Sequence, residues 1–211
     1  MGVAFRLSRT LLACASISIA AISLSGCATA YVDGALKDAN LSEVRKPARA
    51  TDAQLLFTFQ TKGTANARAT EALKGDVTKL VQESGLFAVV GTDPALSGSI
   101  ISITLNNVPI TDQGDAAAKG FATGLTFGLV GSAVTDGYVC VVEYVPPGGR
   151  AKVSKTTRHA IHTTMGAKGA PENGVKAKNI EDAVRTMTRQ VITEALKEVS
   201  RDPSFDAQQA T

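Results

Sequence analysis

Hydrophobic and polar positions follow two periods along the middle of this chain. The run Leu55-Leu56-Phe57-Thr58-Phe59 predicts a strand near the start of the folded part, which begins at Ala53. From Asn66 to Ser84 the period changes: Ala69, Leu73, Val77, Leu80 and Val81 recur every three or four residues, which predicts a helix with one apolar stripe. Gly85 stands where a left-handed residue would end it. Leu86 to Val90 reads as a short buried strand, and Gly91-Thr92-Asp93-Pro94 turns the chain. Ser97 to Asn107 predicts a longer strand, with Ile101, Ile103 and Leu105 on one face and Ser102, Thr104 and Asn106 on the other. Tyr138 to Tyr144 predicts another, followed by a turn at Pro146-Pro147-Gly148-Gly149.

Lys152 to Thr164 reads as a long threonine-rich strand, whose polarity predicts a sheet edge or a wet sheet face. A loop rich in glycine and lysine (Gly166 to Lys178) leads to a helix from about Ile180 to Val199. Asn179 is placed to cap that helix, with Glu181 and Asp182 in its first turn. Its stripe is Ile180, Val184, Met187, Val191, Ala195 and Val199. The order is β-α-β-β, a glycine-rich insertion, then β-β-α. Two single-striped helices and a mostly antiparallel sheet of about five strands predict an α+β two-layer sandwich, with both helices on one face.

The N-terminus follows neither period. Arg6 and Arg9 precede an uncharged stretch from Leu11 to Leu24, and small residues then lead into Cys27. This is the three-part layout of a secretory signal peptide. The stretch is short for a transmembrane helix, which needs ~20 apolar residues. The tetrapeptide Leu24-Ser25-Gly26-Cys27 resembles the lipobox of bacterial lipoproteins. That resemblance implies cleavage before Cys27 and its lipidation with diacylglycerol and a further acyl chain such as palmitate. Ala28 and Thr29 follow, where an aspartate would imply inner-membrane retention, so the implied address is the periplasmic face of the outer membrane.

On this reading residues 1–26 are removed, 27–51 form a lipidated tether with one short helix around Leu36 to Val44, 52–200 form the periplasmic domain, and 201–211 are a disordered tail. A second resemblance lies in Phe87-Ala88-Val89-Val90 and the following Asp93-Pro94-Ala95-Leu96-Ser97-Gly98-Ser99-Ile100. The succession of helix, short strand, turn and strand is similar to that in small envelope lipoproteins. These are activators of penicillin-binding proteins, the curli secretion lipoprotein, and the N-terminal domain of the translocation protein TolB. The resemblance implies an α/β sandwich and a scaffold or assembly role, and transfers no catalytic residue.

Composition narrows the classes. Losing residues 1–26 takes the formal charge from +3 to +1, and the basic residues are dispersed, which argues against nucleic acid as a partner. Tryptophan is absent. Of three cysteines, Cys27 would carry lipid and Cys140 would remain among valines as a buried, inert thiol, leaving no internal disulfide.

The insertion at 113–136 stands apart. Sixteen residues between Lys119 and Asp136 carry no charge, and Ala116, Gly120, Gly124 and Gly128 recur every fourth residue, interleaved with Phe121, Leu125 and Phe127. On a helix these small residues line one face and permit close helix approach. Two alternatives follow. In one, Gly120, Phe121, Gly124, Leu125, Phe127 and Gly128 touch the bilayer or a second copy in a homo-oligomer, as in a secretion or pore component. In the other, the segment lies on its own domain's sheet, since exposed glycine-rich helices are unstable.

Catalytic motifs are not found: there is no phosphate loop and no Gly-x-Ser-x-Gly. His159 and His162 are three apart, so a strand sends them to opposite faces, where neither shares a metal with the other. They are expected at the surface or half-buried. No metal site and no cofactor are expected. The sequence points to a non-enzymatic membrane-anchored assembly factor, adaptor or accessory subunit working with other envelope proteins. A ligand-binding protein or enzyme is the third class.

Overall fold

The computed structural model describes residues 28–37, 40–111, 115, 119, 121, 133–165, 169–171 and 173–205. The first of them are already folded. Ala28–Asp33 is strand β1, although residues 27–51 read as a tether in the sequence. Its side chains are covered on both faces, because Ala30 and Val32 join the main core while Tyr31 and Asp33 are buried on the other side. The short helix expected within 36–44 is a 3-10 turn at Leu41–Glu43.

The chain continues through β2 (Ala53–Thr61), β3 (Thr64–Ala65), α1 (Ala67–Glu83), β4 (Val90–Gly91) and β5 (Ile100–Ile110). Then come β6 (Ala133–Val145), β7 (Val153–Met165), β8 (Gly174–Lys176) and a second helix, α2 (Ile180–Arg201). Asn66 and Asn179 cap the helices as their sequences predict, accepting from the backbone N–H of Ala69 and Asp182. Gly85 takes the left-handed conformation (φ 70°) just beyond α1. Leu86 and Phe87 are buried, but the strand expected there shrinks to β4.

The strands form one α+β sheet, larger than the five expected. Eight strands lie in the order β3-β2-β5-β6-β7-β1-β8, with β4 also on β2. The sheet is mixed: β2 runs parallel to β5 and β4, and the other pairs are antiparallel. Both helices join one core with the odd-numbered apolar residues of β5 and the even-numbered ones of β6. Ile101, Ile103 and Leu105 face this layer, as their alternation predicts. Within α2's stripe Met187, Val191, Ala195 and Val199 are buried, while Ile180 is 54% exposed.

Two expectations are corrected here. The strand at Lys152 to Thr164 is not an edge: β7 pairs with β6 along one side and β1 along the other. The wet face is found at its first half, where Ser154 and Thr156 are exposed on the side away from the helices, whereas Thr157 Oγ1 turns inward and donates to the Val191 carbonyl of α2 at 2.9 Å. Of the tail expected at 201–211, residues 201–205 are folded, since Phe205 is buried against Phe87 and Tyr144; the rest lies outside the described residues.

Candidate functional site

In the half of the sheet where β5 stops and β6 begins, polar groups close on one another across three strands. Asp33 ends β1, Thr135 lies near the start of β6, and His162 near the end of β7. The register sets Tyr31 opposite His162 and His162 opposite Thr135, so the three side chains share the face that the helices do not cover. His162 Nε2 lies 3.2 Å from Asp33 Oδ2, and its Nδ1 lies 3.0 Å from Thr135 Oγ1. Asp33 Oδ1 also accepts from the Ala35 N–H at 2.8 Å. All three residues are buried.

An acid, an imidazole and a hydroxyl in a row have the makings of a proton relay. Catalysis further requires substrate at the hydroxyl, and Thr135 is only 1% exposed. The row links β1 to β7 and β6, with each polar atom supplied with a partner in a place where an unpaired one is costly.

The second histidine belongs to the other face. His159 Nδ1 accepts from the Ala160 N–H at 2.9 Å, so Nε2 carries the proton toward Gln190 Oε1 at 2.6 Å. Burial holds its pKa below the usual imidazole value, with the Gln190 bond acting in the opposite sense. The two histidines do face opposite ways, but both are fully buried rather than at the surface: His159 lies under helix α2, bonded to Gln190, and His162 is closed in with Asp33 and Thr135.

Of the residues singled out in the sequence, Cys27, Gly120, Gly124, Leu125, Phe127 and Gly128 lie outside the described residues. Phe121 is described, and it is spent inside its own domain: 1% exposed, it packs with Ile110 in a small cluster beside Val108 and Val139. Gly137 makes room for it, since a Cβ there would come within 2.7 Å of the Phe121 ring and 3.0 Å of Ile110. Lys119 bonds the Pro109 carbonyl and the Asp115 carboxylate, each at 2.8 Å, and Asp115 accepts from the Thr111 N–H. The Lys119 bond is the main reason that Asp115 titrates below the ordinary carboxylate range.

Cys140 faces the core, and burial pushes its thiol up to about 12, far from reactive. A groove of about 260 Å³ separates the helices, with Leu73, Val77 and Leu80 on its wall. Its mouth is crossed by Arg185, which bonds both Asp76 of α1 and Glu181 of its own helix. Among the described residues no cluster of three His, Cys, Asp or Glu could hold a metal ion, and no helix is long and apolar enough to cross a membrane.

The geometry defines an α+β domain with a buried polar row in one half of its sheet. No protein-family model matches the chain, and no curated protein does. Among solved structures it is similar to a PelC dodecamer from Paraburkholderia phytofirmans, with TM-score 0.34 and 14% identity over 81% of this chain and 95% of that one. It is also similar to a neuraminyllactose-binding hemagglutinin homolog from Helicobacter pylori, with TM-score 0.38 and 9% identity over 77% of this chain and 88% of that one. Both likenesses are slight, and neither sets a function for this chain.

Proposed function

We propose that this chain is a lipid-anchored protein of the bacterial envelope. Acyl groups on Cys27 hold it at the periplasmic face of the outer membrane, where it serves without catalysis as an assembly factor, adaptor or accessory subunit. The observation that carries this reading is Leu24-Ser25-Gly26-Cys27 behind an uncharged stretch and two arginines. Several acyl chains on one residue anchor stably, where a single chain binds only reversibly.

The domain's own groups support a non-catalytic role. Both histidines have their ring nitrogens occupied in buried bonds, and the Cys140 thiol is locked in its protonated form. Since β7 is internal, strand addition there gives way to a different partner surface. That surface is the open half of the sheet's second face, with exposed Leu56 and the pair of Glu143 with Lys152 at 2.6 Å.

Growth with a clickable palmitate analogue tests the anchor. Wild type should take up label and fractionate with membranes, and Cys27→Ser should do neither. An unlabelled wild-type protein contradicts the anchor. Crosslinking in intact cells tests the role: envelope proteins should be captured, and an uncrosslinked protein at native abundance contradicts it.

A further inference from the structure

The place where β1 begins decides how such an anchored domain must sit. Consecutive Cα atoms are ~3.8 Å apart, so Cys27 is one step from Ala28, and Ala28 is already paired with Met165 in the sheet. No spacer intervenes. A domain whose first sheet residue adjoins the acylated one cannot stand off the bilayer.

The same end carries exposed apolar side chains. Met165 is 59% exposed and Val134 52%. By strand alternation they share a face on adjacent strands, with Val134 opposite Thr163, two residues from Met165. Ile180, 54% exposed, opens α2 on that side, where the Ala177 N–H donates to the Ala30 carbonyl. Exposed Lys176 and Lys178 precede it, and Glu181 follows, paired with Arg185. Apolar side chains fringed by lysines suit the headgroup boundary of a phospholipid leaflet.

We infer that this sheet end, built from Ala28, Val134, Met165 and Ile180, rests directly on the phospholipid surface. The inference deepens the anchored reading and rests on it. The strands stand on the membrane and the opposite end of the sheet points away. β7 alone has 13 residues, so its far end is roughly 40 Å distant. Exposure by itself does not choose the end: Leu96 in the turn before β5 is fully exposed at the far one. The position of Cys27 chooses.

The absence of tryptophan makes the test clean. Val134→Trp, Met165→Trp and Leu96→Trp, each at an exposed position, are made in the full-length chain, purified from membranes and placed in vesicles of brominated phosphatidylethanolamine and phosphatidylglycerol. Emission at 134 and 165 should fall by roughly half or more against unbrominated lipid, as for groups at the headgroup boundary, while emission at 96 stays unchanged. If acylated protein shows no more quenching at 134 and 165 than at 96, the seating is wrong and the anchor stands. If those two emit as buried groups yet escape bromine, a second copy covers the end and the inference is overturned. If mass analysis finds no acyl group, the anchored reading fails and the seating fails with it.

Discussion

The two halves of the sheet are held by different physics. At the end remote from Cys27, Phe87, Tyr144 and Phe205 meet with ring centroids 5.0 to 6.0 Å apart, joining the loop after α1, strand β6 and the residues beyond α2. Those contacts gain mainly from buried area, with a smaller contribution from the edge-to-face geometry of Phe205 against Phe87 and Tyr144. In the half of the sheet nearer Cys27, Asp33, His162 and Thr135 join β1, β7 and β6 through hydrogen bonds that demand particular atoms in particular places. An aromatic cluster tolerates exchange of similar volumes; a polar row does not tolerate loss of one member. The strand that carries the proposed anchor is thus fixed by the more specific device.

The comparison breaks most sharply at the aromatic end. Phe205→Ala should cost about 3–5 kcal/mol, read from urea unfolding midpoints, and Phe205→Leu should recover much of it. Asp33→Ala should cost about 3 kcal/mol by leaving His162 without its acceptor. Unlike the aromatic case, an apolar exchange at Asp33 alone should not help, whereas pairing Asp33→Leu with His162→Phe should regain most of the loss. Gly137→Ala, which drives a methyl into Phe121 and Ile110, should cost about 1–3 kcal/mol.

Acid separates the faces. His159 is held below the free imidazole value of ~6.5. Its contribution to stability is complete above that pH and is lost as pH falls toward the folded value, because the unfolded chain then binds the extra proton. Unfolding midpoints measured at about pH 7.5 and about pH 5 should show the loss, with a shallower acid slope in His159→Gln. The smallest effect is expected from Lys152→Ala, which breaks an exposed pair with Glu143 and should change stability by no more than ~1 kcal/mol.

Sequence periodicity reached the elements that alternate between core and solvent and missed β1. Helix α1 and strand β5 alternate between core and solvent, so their stripes and caps could be read directly from Asn66, Gly85 and Ile101 to Leu105. Strand β1 shows no such alternation: Ala30 and Val32 meet one layer while Tyr31 and Asp33 meet the other, and a six-residue strand buried on both sides resembles a linker. The polar row was hidden for a further reason. Asp33 and His162 are 129 residues apart, and only the sheet order brings them together. Spacing correctly set the histidines on opposite faces, yet spacing carries no information about what covers each face. Thr157 of β7 misled in the same way, since a hydroxyl bonded to a helix carbonyl reads in sequence like one bonded to water.

The most direct test of the account is the intact mass of the N-terminal peptide from membrane-purified protein. The account predicts that the chain starts at Cys27 and carries a diacylglycerol and a further acyl group, immediately ahead of the first residue of β1. A chain starting elsewhere, or a Cys27 with a free thiol, would contradict it.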